Sequence, residues 1–491
     1  MKTQRKKLVF IVIFPVIFSG GFASSADNSL PDDATISNYV KEALRSDPVV
    51  DSLNIEVNVS DGIVTLDGKI PTLAARNYAD KEVKKIAGVR GVINELMISP
   101  TTQLSSDIAQ DIETRITFDP SIESSDINVS VNDGNVMLQG TVSSYEEKQE
   151  AEFLASGVRG VISVDNQLSV TYTTSRPDNE ILMDVQNAIQ RDVYLAGLPI
   201  AVAINNGVIT LAGRVGNLYE KERASDKAWG VSNVRGVIND LQVQPSLNRG
   251  VRKNYIIPSG EILQQTVHQE LFQDLRLNPL NIKVSAEDGN VTLSGTVPIY
   301  LDKRLAEQDA RNVVGVMAVN NLLKVAVEPR SDNEIARDIM KVIDSDSEVS
   351  GQDIRVNVNN GIVTLSGNVN QSYEKYEAGR IVGNVRGITD VINNITINKS
   401  PKYTDKELQI RIEDRLEAHA GTAPVAKMIH VSVSSGDAVL SGQVNHWSQI
   451  LEAGNIASKT DGIWSVQNNL RVAGYPYQWG STYSNYWLYE Y

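Results

Sequence analysis

Histidine is the first place to look for chemistry, and the chain has only four: His268, His419, His430 and His446 in 491 residues without a cysteine. A zinc centre needs three or four imidazole, thiolate or carboxylate ligands converging on one point. His430 falls in a strand and His446 just past the hairpin that follows, near enough to approach each other. Neither recurs elsewhere in the chain, so packing or surface roles suit them better than metal binding. The 60 acidic side chains follow helix-surface and turn positions, with no isolated pair in the apolar setting that acid–base catalysis requires. Glycine is the remaining candidate. Six pairs stand six residues apart: Gly62/Gly68, Gly134/Gly140, Gly207/Gly213, Gly289/Gly295, Gly361/Gly367 and Gly436/Gly442. A phosphate-cradling loop would end in Gly-Lys-Ser/Thr and open a helix. These runs (GIVTLDG, GNVMLQG, GVITLAG, GNVTLSG, GIVTLSG, GDAVLSG) lie between strands, so hairpin geometry explains them. No catalytic, cofactor-binding or metal-binding residue is expected.

The elements that carry the glycines repeat with them. Successive second glycines are 72, 73, 82, 72 and 75 residues apart, which makes the chain six copies of one small domain. Asp61, Asp133, Asn206, Asp288, Asn360 and Ser435 precede the first glycines. Asp-Gly or Asn-Gly between β-rich runs is a strong hairpin signal, because a type I′ turn needs positive φ at both central residues. Ile55, Val57 and Val59 alternate into the first turn, and Val64 and Leu66 leave it. Ile127, Val129 and Val131 repeat the pattern, as do Ile354, Val356 and Val358. One apolar face predicts a sheet covered on one side.

A helix precedes each hairpin, as the spacing of Ile108, Ile112 and Ile116 and of Ile335, Ile339, Val342 and Ile343 predicts. Ser331 with Glu334, and Thr404 with Glu407, fit capping boxes. A second helix, such as the one carrying Ala75, Ala79, Val83, Ile86 and Ala87, ends near Gly88-Val89-Arg90-Gly91, Gly157-Val158-Arg159-Gly160 or Asn233-Val234-Arg235-Gly236. A last strand follows, Val161 to Val170 in copy 2 and Val391 to Ile397 in copy 5. The fold class is therefore α+β, with six αββαβ units, each a small three-stranded mixed sheet covered by two helices. About 70 residues suffice for such a unit to fold alone. The boundaries read 33–100, 104–172, 177–244, 259–328, 330–398 and 403–473, with a linker at 245–258.

This order, the Asn/Asp-Gly-x-Val-x-Leu-x-Gly hairpin and the later Val-Arg-Gly-Val with an Asn soon after resemble the BON domain, over nearly everything from Asp33 to Ala473. Copies 4 and 6 depart from the motif, with Val316-Met317-Ala318-Val319 and Ile463-Trp464-Ser465-Val466. The resemblance implies a bacterial envelope protein without enzymatic activity. The family includes osmotically induced periplasmic proteins, outer-membrane lipoproteins and secretin- or channel-associated proteins. It is associated with phospholipid-membrane contact, envelope integrity and, in some members, chaperone-like behaviour.

Counting from each second glycine to the Gly91 equivalent gives 23, 20, 23, 23, 20 and 23 residues. Copies 1 and 4 share a proline (Pro71 and Pro298), and the longest linker, Pro245 to Pro258, separates copies 3 and 4. A 3 + 3 arrangement is the expectation, against six copies that drifted independently in loop length. The whole is read as an extended or curved array.

Lys2, Arg5, Lys6 and Lys7 precede an apolar run from Leu8 to Phe18, and Ser24-Ser25-Ala26 offers a cleavage site, so residues 1–26 read as a secretory signal. Without cysteine there is no lipoprotein anchor or disulfide. A periplasmic location is expected, with membrane association or secretion as variants. Removing a leader with four basic and no acidic residues takes the formal charge from −14 to −18, which disfavours nucleic acid and anionic headgroups. Arg249, Arg252 and Lys253, and Lys81, Lys84 and Lys85, form small basic patches, expected to be ordinary solvated faces. Arg90, Arg159, Arg235 and Arg386 invite anions, but capping the second helix or local pairing is the expected role.

From Gly474 the chain carries Tyr475, Tyr477, Trp479, Tyr483, Tyr486, Trp487, Tyr489 and Tyr491, with Glu490 the only charge. Tyr and Trp suit membrane interfaces and partner surfaces. Three readings stand: the tail shields the last sheet, contacts membrane, peptidoglycan or an outer-membrane partner, or extends without structure. The functional expectation is an envelope-maintenance protein that engages the membrane surface or an outer-membrane component under stress. A holdase for unfolded envelope proteins and an architectural spacer are the alternatives.

Overall fold

Everything in each copy is hung on its hairpin turn. In the computed structural model Asp61 and Gly62 have φ of 52° and 75°, and the other five turns have the same signs at both positions, as a type I′ turn demands. The structure describes residues 31–473 apart from 48, 51–54, 100–102, 123–125, 173, 250–257, 278, 327–329, 350–352, 399–401 and 446. Residues 1–30, which include the segment read as a leader, and the aromatic tail from 474 therefore lie outside the described residues. The turn is clamped from the preceding helix. Asp33, at the start of that helix, accepts from the amides of Asp61 and Gly62, both at 2.8 Å. Asp178, Asp332 and Asp405 do the same in copies 3, 5 and 6. Ser105 makes one such bond in copy 2.

The first helices are Asp33–Arg45, Ser105–Phe118, Asp178–Arg191, Gly260–Gln273, Asp332–Ser345 and Asp405–Ala418. The second are Leu73–Lys84, Tyr145–Ser156, Leu218–Trp229, Tyr300–Arg311, Ser372–Gly383 and Trp447–Ser458. Both predicted capping boxes are present. In each sheet the hairpin is antiparallel and the third strand pairs parallel to the hairpin's second strand, which is central. Copy 5 interrupts its third strand between Asp390–Asn393 and Thr396–Ile397.

Both glycines of each pair lie within the hairpin, at two different places. Gly62, Gly134, Gly207, Gly289, Gly361 and Gly436 form the turns. Gly68, Gly140, Gly213, Gly295, Gly367 and Gly442 lie well beyond them, inside the central strands Ile63–Ile70, Asn135–Val142, Val208–Val215, Asn290–Val297, Ile362–Val369 and Asp437–Val444. Each stands opposite the first residue of its hairpin: Ile55, Ile127, Ile200, Ile282, Ile354 or Ile429. Their φ lies between 117° and 133°. A Cβ there would fall 1.6–2.1 Å from the carbonyl oxygen preceding the first strand in copies 2 to 6. The physical reason for these glycines is thus a close meeting of two backbones where no side chain fits.

The third strand is stapled by an asparagine. Asn94, Asn166, Asn239, Asn321, Asn393 and Asn468 each donate to a second-helix carbonyl and accept from the amide two residues on.

The register is the same in all six copies, which corrects the loop-length reading. Gly91 is equivalent to Ser163, Gly236, Ala318, Asp390 and Ser465, the residues paired with the start of the central strand. Gly160 and Gly387 are instead equivalent to Gly88, all three with φ near 90°. No copy is shorter than another in this stretch, so the variation in count reflects two different glycines.

The extended or curved array is also corrected. The described residues all fall within one compact unit, in which copies pack through their helices. Copy 1 meets copy 6 through the Ala87 amide to the Ala418 carbonyl and the Ala420 amide to the Lys85 carbonyl, both 2.8 Å. Copy 2 meets copy 5 through Arg159–Ser345 and Ser347–Gly157, both 3.0 Å, and copy 3 meets copy 4 through Val193–Asn312 and Val314–Arg191, both 2.8 Å. Each copy of the first three thus has a partner among the last three.

Between copies 2 and 5, Arg115 donates to Asp346 at 2.5 Å and to Ser345 at 3.0 Å, with both ion-pair side chains 2% exposed. Removing one partner leaves a buried charge alone, which costs about 3–5 kcal/mol. Arg115→Ala is therefore expected to lower stability by that amount in urea unfolding. Lys84→Ala, whose partner Glu222 is 49% exposed, is expected to change it by less than about 1 kcal/mol.

Candidate functional site

Two surfaces follow from this packing: the outward faces of six sheets, and an interior where helices from different copies meet. Along every hairpin the residues facing the helices are the more buried and those between them the more open. The outer faces are rich in uncharged polar side chains, such as Asn128, Ser130, Gln139, Thr141 and Gln167 in copy 2. One diagonal pair of positions, the residue after the turn glycine and the third residue of the last strand, alternates along the chain. It is Ile63/Ile93, Val208/Ile238 and Ile362/Ile392 in copies 1, 3 and 5. It is Asn135/Asp165, Asn290/Asn320 and Asp437/Gln467 in copies 2, 4 and 6. The five isoleucines are open, Ile93 at 48%, Ile238 at 51% and Ile392 at 44%, while Val208 is half-buried; copy 1 adds Met97 at 58% and copy 4 Leu322 at 55%. Isolated exposed aliphatics are ordinary. The same pair recurs on every second sheet.

The interior is charged. Just past the first helix stands Asp47, Asp119, Asp192, Asp274 or Asp346 in five copies and His419 in the sixth. Each accepts a backbone amide of its own turn. Burial pushes Asp47 up to about 6, although Arg415 of copy 6 stands 3.6 Å away. Burial also pushes Glu82 upward, but Lys459, Lys85 and Arg415 outweigh it and hold the carboxyl at about 2. Asp192 stays below the usual range, because Arg223 and Lys227 outweigh its burial. At the junction of copies 2, 3 and 4 lies a cavity of about 380 Å³. There burial, with Asp274 nearby, raises Glu146 to about 7, and burial with Asp119 nearby raises Glu150 to about 8. Asp226 rises to about 6 through burial, and Asp309 rises through burial beside Asp274.

The structure redistributes the residues singled out from sequence. All twelve glycines of the pairs serve backbone geometry, six at turns and six at the strand crossings of Gly68, Gly140, Gly213, Gly295, Gly367 and Gly442. Lys84 pairs with Asp80 and with Glu222 of copy 3 at 2.6 and 2.5 Å, and Lys85 lies over the Tyr219 ring at 5.0 Å. That patch is an interface between copies, which corrects its reading as a solvated face. Arg252 and Lys253, the side chain of Arg249, His446 and residues 474–491 lie outside the described residues. His430 is exposed on an outer sheet face, and His268 packs on Phe272 with ring centroids 4.6 Å apart. The four arginines occupy two different places. Arg90 and Arg235 lie across the turn glycines Gly62 and Gly207. Arg159 reaches the Asp346 carbonyl of copy 5, and Arg386 reaches the Asp119 and Ile122 carbonyls of copy 2. For Arg159 and Arg386 local pairing gives way to bridging between copies. Counting every copy from its second glycine separates the two classes. No group of three or more His, Asp or Glu residues is arranged to hold a metal among the described residues, and no described helix is long and apolar enough to cross a membrane.

A model of the BON domain matches residues 32–100, 105–172, 177–245, 259–327, 331–399 and 404–474. Osmotically-inducible protein Y of Escherichia coli is 33% identical over 144 residues, covering 28% of this chain and 72% of that protein. Outer membrane lipoprotein DolP of Haemophilus influenzae is 29% identical over 155 residues, covering 31% and 77%. The C-terminal domain of CdsD, a structural protein of the type III secretion system of Chlamydia trachomatis, aligns with 46% of this chain and 99% of its own at 18% identity, with a TM-score of 0.12.

The raised carboxyls set a pH dependence. Glu146, Glu150, Asp226 and Asp47 bind protons in the folded state that the unfolded chain has already released between about pH 4 and their folded values. Their contribution is therefore full below about pH 4 and is lost as pH rises towards 8, at up to about 1.4 kcal/mol per unit for each proton. Glu82 and Asp192 act in the opposite sense and lose their contribution only in stronger acid. The urea midpoint is expected to be higher at pH 5.5 than at pH 8. Glu150→Gln is expected to raise it most at pH 8, less at pH 5.5 and hardly at all near pH 4.

Proposed function

We propose that this chain, which belongs to the BON domain family, is a non-enzymatic periplasmic protein that maintains the cell envelope by contacting membrane surface or an outer-membrane component through its outward sheet faces. The alternating aliphatic pair on copies 1, 3 and 5 carries this reading. A formal charge near −18 after loss of a leader makes charge attraction to anionic headgroups a poor basis for binding, whereas exposed Ile63, Ile93, Ile238 and Ile392 supply apolar contact. Three weak contacts on one compact body reinforce one another, provided their geometry allows simultaneous engagement. The names of the similar proteins, one osmotically inducible and one an outer membrane lipoprotein, support an envelope setting. The reading of residues 1–26 as an export signal supports the periplasm. Tyr475, Tyr477, Trp479, Tyr483, Tyr486, Trp487, Tyr489 and Tyr491 are proposed as a second contact.

The same aliphatic pairs favour a second reading, a holdase that shields apolar segments of unfolded envelope proteins. A spacer role fits less well, because copy 1 packs on copy 6 and the chain gains little reach.

Flotation of the mature chain with neutral and anionic liposomes tests the first reading. Binding to both lipid types is expected, weakened at least fivefold by combined Ile93→Ser, Ile238→Ser and Ile392→Ser and further by removal of 474–491. Absence of flotation, together with suppressed aggregation of an unfolded outer-membrane protein, would put the holdase first.

A further inference from the structure

We propose that the cavity where copies 2, 3 and 4 meet binds a small linear organic polycation, a di- or polyamine with ammonium groups spaced along an alkyl chain. The cavity faces the helical interior, away from the sheet faces assigned to envelope contact. Its volume of about 380 Å³ lies within the usual range of small-molecule sites and far exceeds what a bare ion occupies.

Its basic residues are already engaged. Lys227 donates to Glu270 at 2.6 Å, Arg276 to Asp274 at 2.7 Å, and Arg223 to Asp192 at 2.9 Å. Three further carboxyl groups are left short of donors. Glu150 is 4% exposed and Asp309 7%. Glu150 Oε1 and Asp309 Oδ2, and Oε2 of Glu146, are buried and accept no hydrogen bond. A buried acceptor without a donor is unfavourable, and a ligand that brings N–H groups relieves it. All three residues line the same cavity, so the ligand must present several donors at once.

The rest of the wall selects among cations. Tyr145, stacked on Trp229 with ring centroids 4.6 Å apart, lines the cavity with Phe153, Ala188 and Val231. Aromatic faces and aliphatic groups accommodate methylenes and attract ammonium. Hard metal ions need several oxygens converging at about 2.0–2.6 Å, and the described residues offer no such group. Gly230 keeps the space open: a Cβ there would stand 3.0 Å from Glu146 Oε1. Its φ of −66° admits alanine without backbone strain.

Isothermal titration of the mature chain with spermidine, in 150 mM salt at pH 7.5, tests the proposal. One saturable site is expected. Combined Glu150→Gln and Asp309→Asn, and separately Gly230→Ala, are expected to weaken it at least tenfold while circular dichroism shows folded protein. Magnesium at equal concentration is expected not to displace spermidine. The proposal is overturned by absence of saturation up to 5 mM, by unchanged affinity in both variants, or by equal competition from magnesium. Should the double variant fail to fold, Gly230→Ala alone decides between these outcomes.

Discussion

A layer of two helices has two sides, and in each copy only one is covered by that copy's own sheet. The other side is left for a neighbour, and this single requirement shapes the molecule. A domain of about 70 residues buries a modest core by itself. Packing helix against helix between copies adds burial that no copy achieves alone. It also leaves the outer sheet faces as the surface each copy shows to solvent. Copies 1 and 6, 2 and 5, and 3 and 4 meet through similar backbone bridges, each joining the end of one copy's second helix to the turn after the other's first helix.

The interfaces this creates are charged rather than oily. Arg115 with Asp346, Arg191 with Glu270, and Lys459 with Glu82 bring opposite charges together across copies. Buried ion pairs add little stability relative to apolar packing, since desolvation offsets attraction. Six similar helical layers present many ways to pair wrongly, and a copy docked on the wrong partner buries a charge without its counterpart. Arg159 and Arg386, equivalent residues in copies 2 and 5, each bond a carbonyl of the other copy.

Much of this was legible in the sequence because it depends on local chemistry. Asp-Gly turns, apolar alternation and capping boxes act within a few residues, and each held. The second glycines, Gly68 and its equivalents, were visible as a period, but their cause was not. It lies in the carbonyl that enters the hairpin on the opposite strand. The Asn after the last-strand start was likewise a recurring letter, and its bonds to the second helix span 18 residues. The two arginine classes were blurred for a simpler reason. Val-Arg-Gly occurs at two offsets three residues apart, and only strand pairing shows which glycine is which. The alternating Ile63/Ile93 and Asn135/Asp165 positions needed the register that places both on one outward face. The charged interior left little trace, because Glu150 and Asp309 sit on helices whose charged residues read as solvent-facing. What buries them comes from copies far away in the chain.

The partner pairs are nested: 3 with 4 inside 2 with 5, inside 1 with 6. Chain connectivity therefore closes the molecule in the manner of a hairpin drawn in domains. Copies 3 and 4 are adjacent and meet across the shortest stretch of chain. Once they have met, copies 2 and 5 are held close, and then copies 1 and 6, so each closure spans a loop already shortened by the one before. A chain emerging from its N-terminus would hold copies 1 to 3 open-sided until their partners arrive in reverse order, with the first copy out the last to be covered.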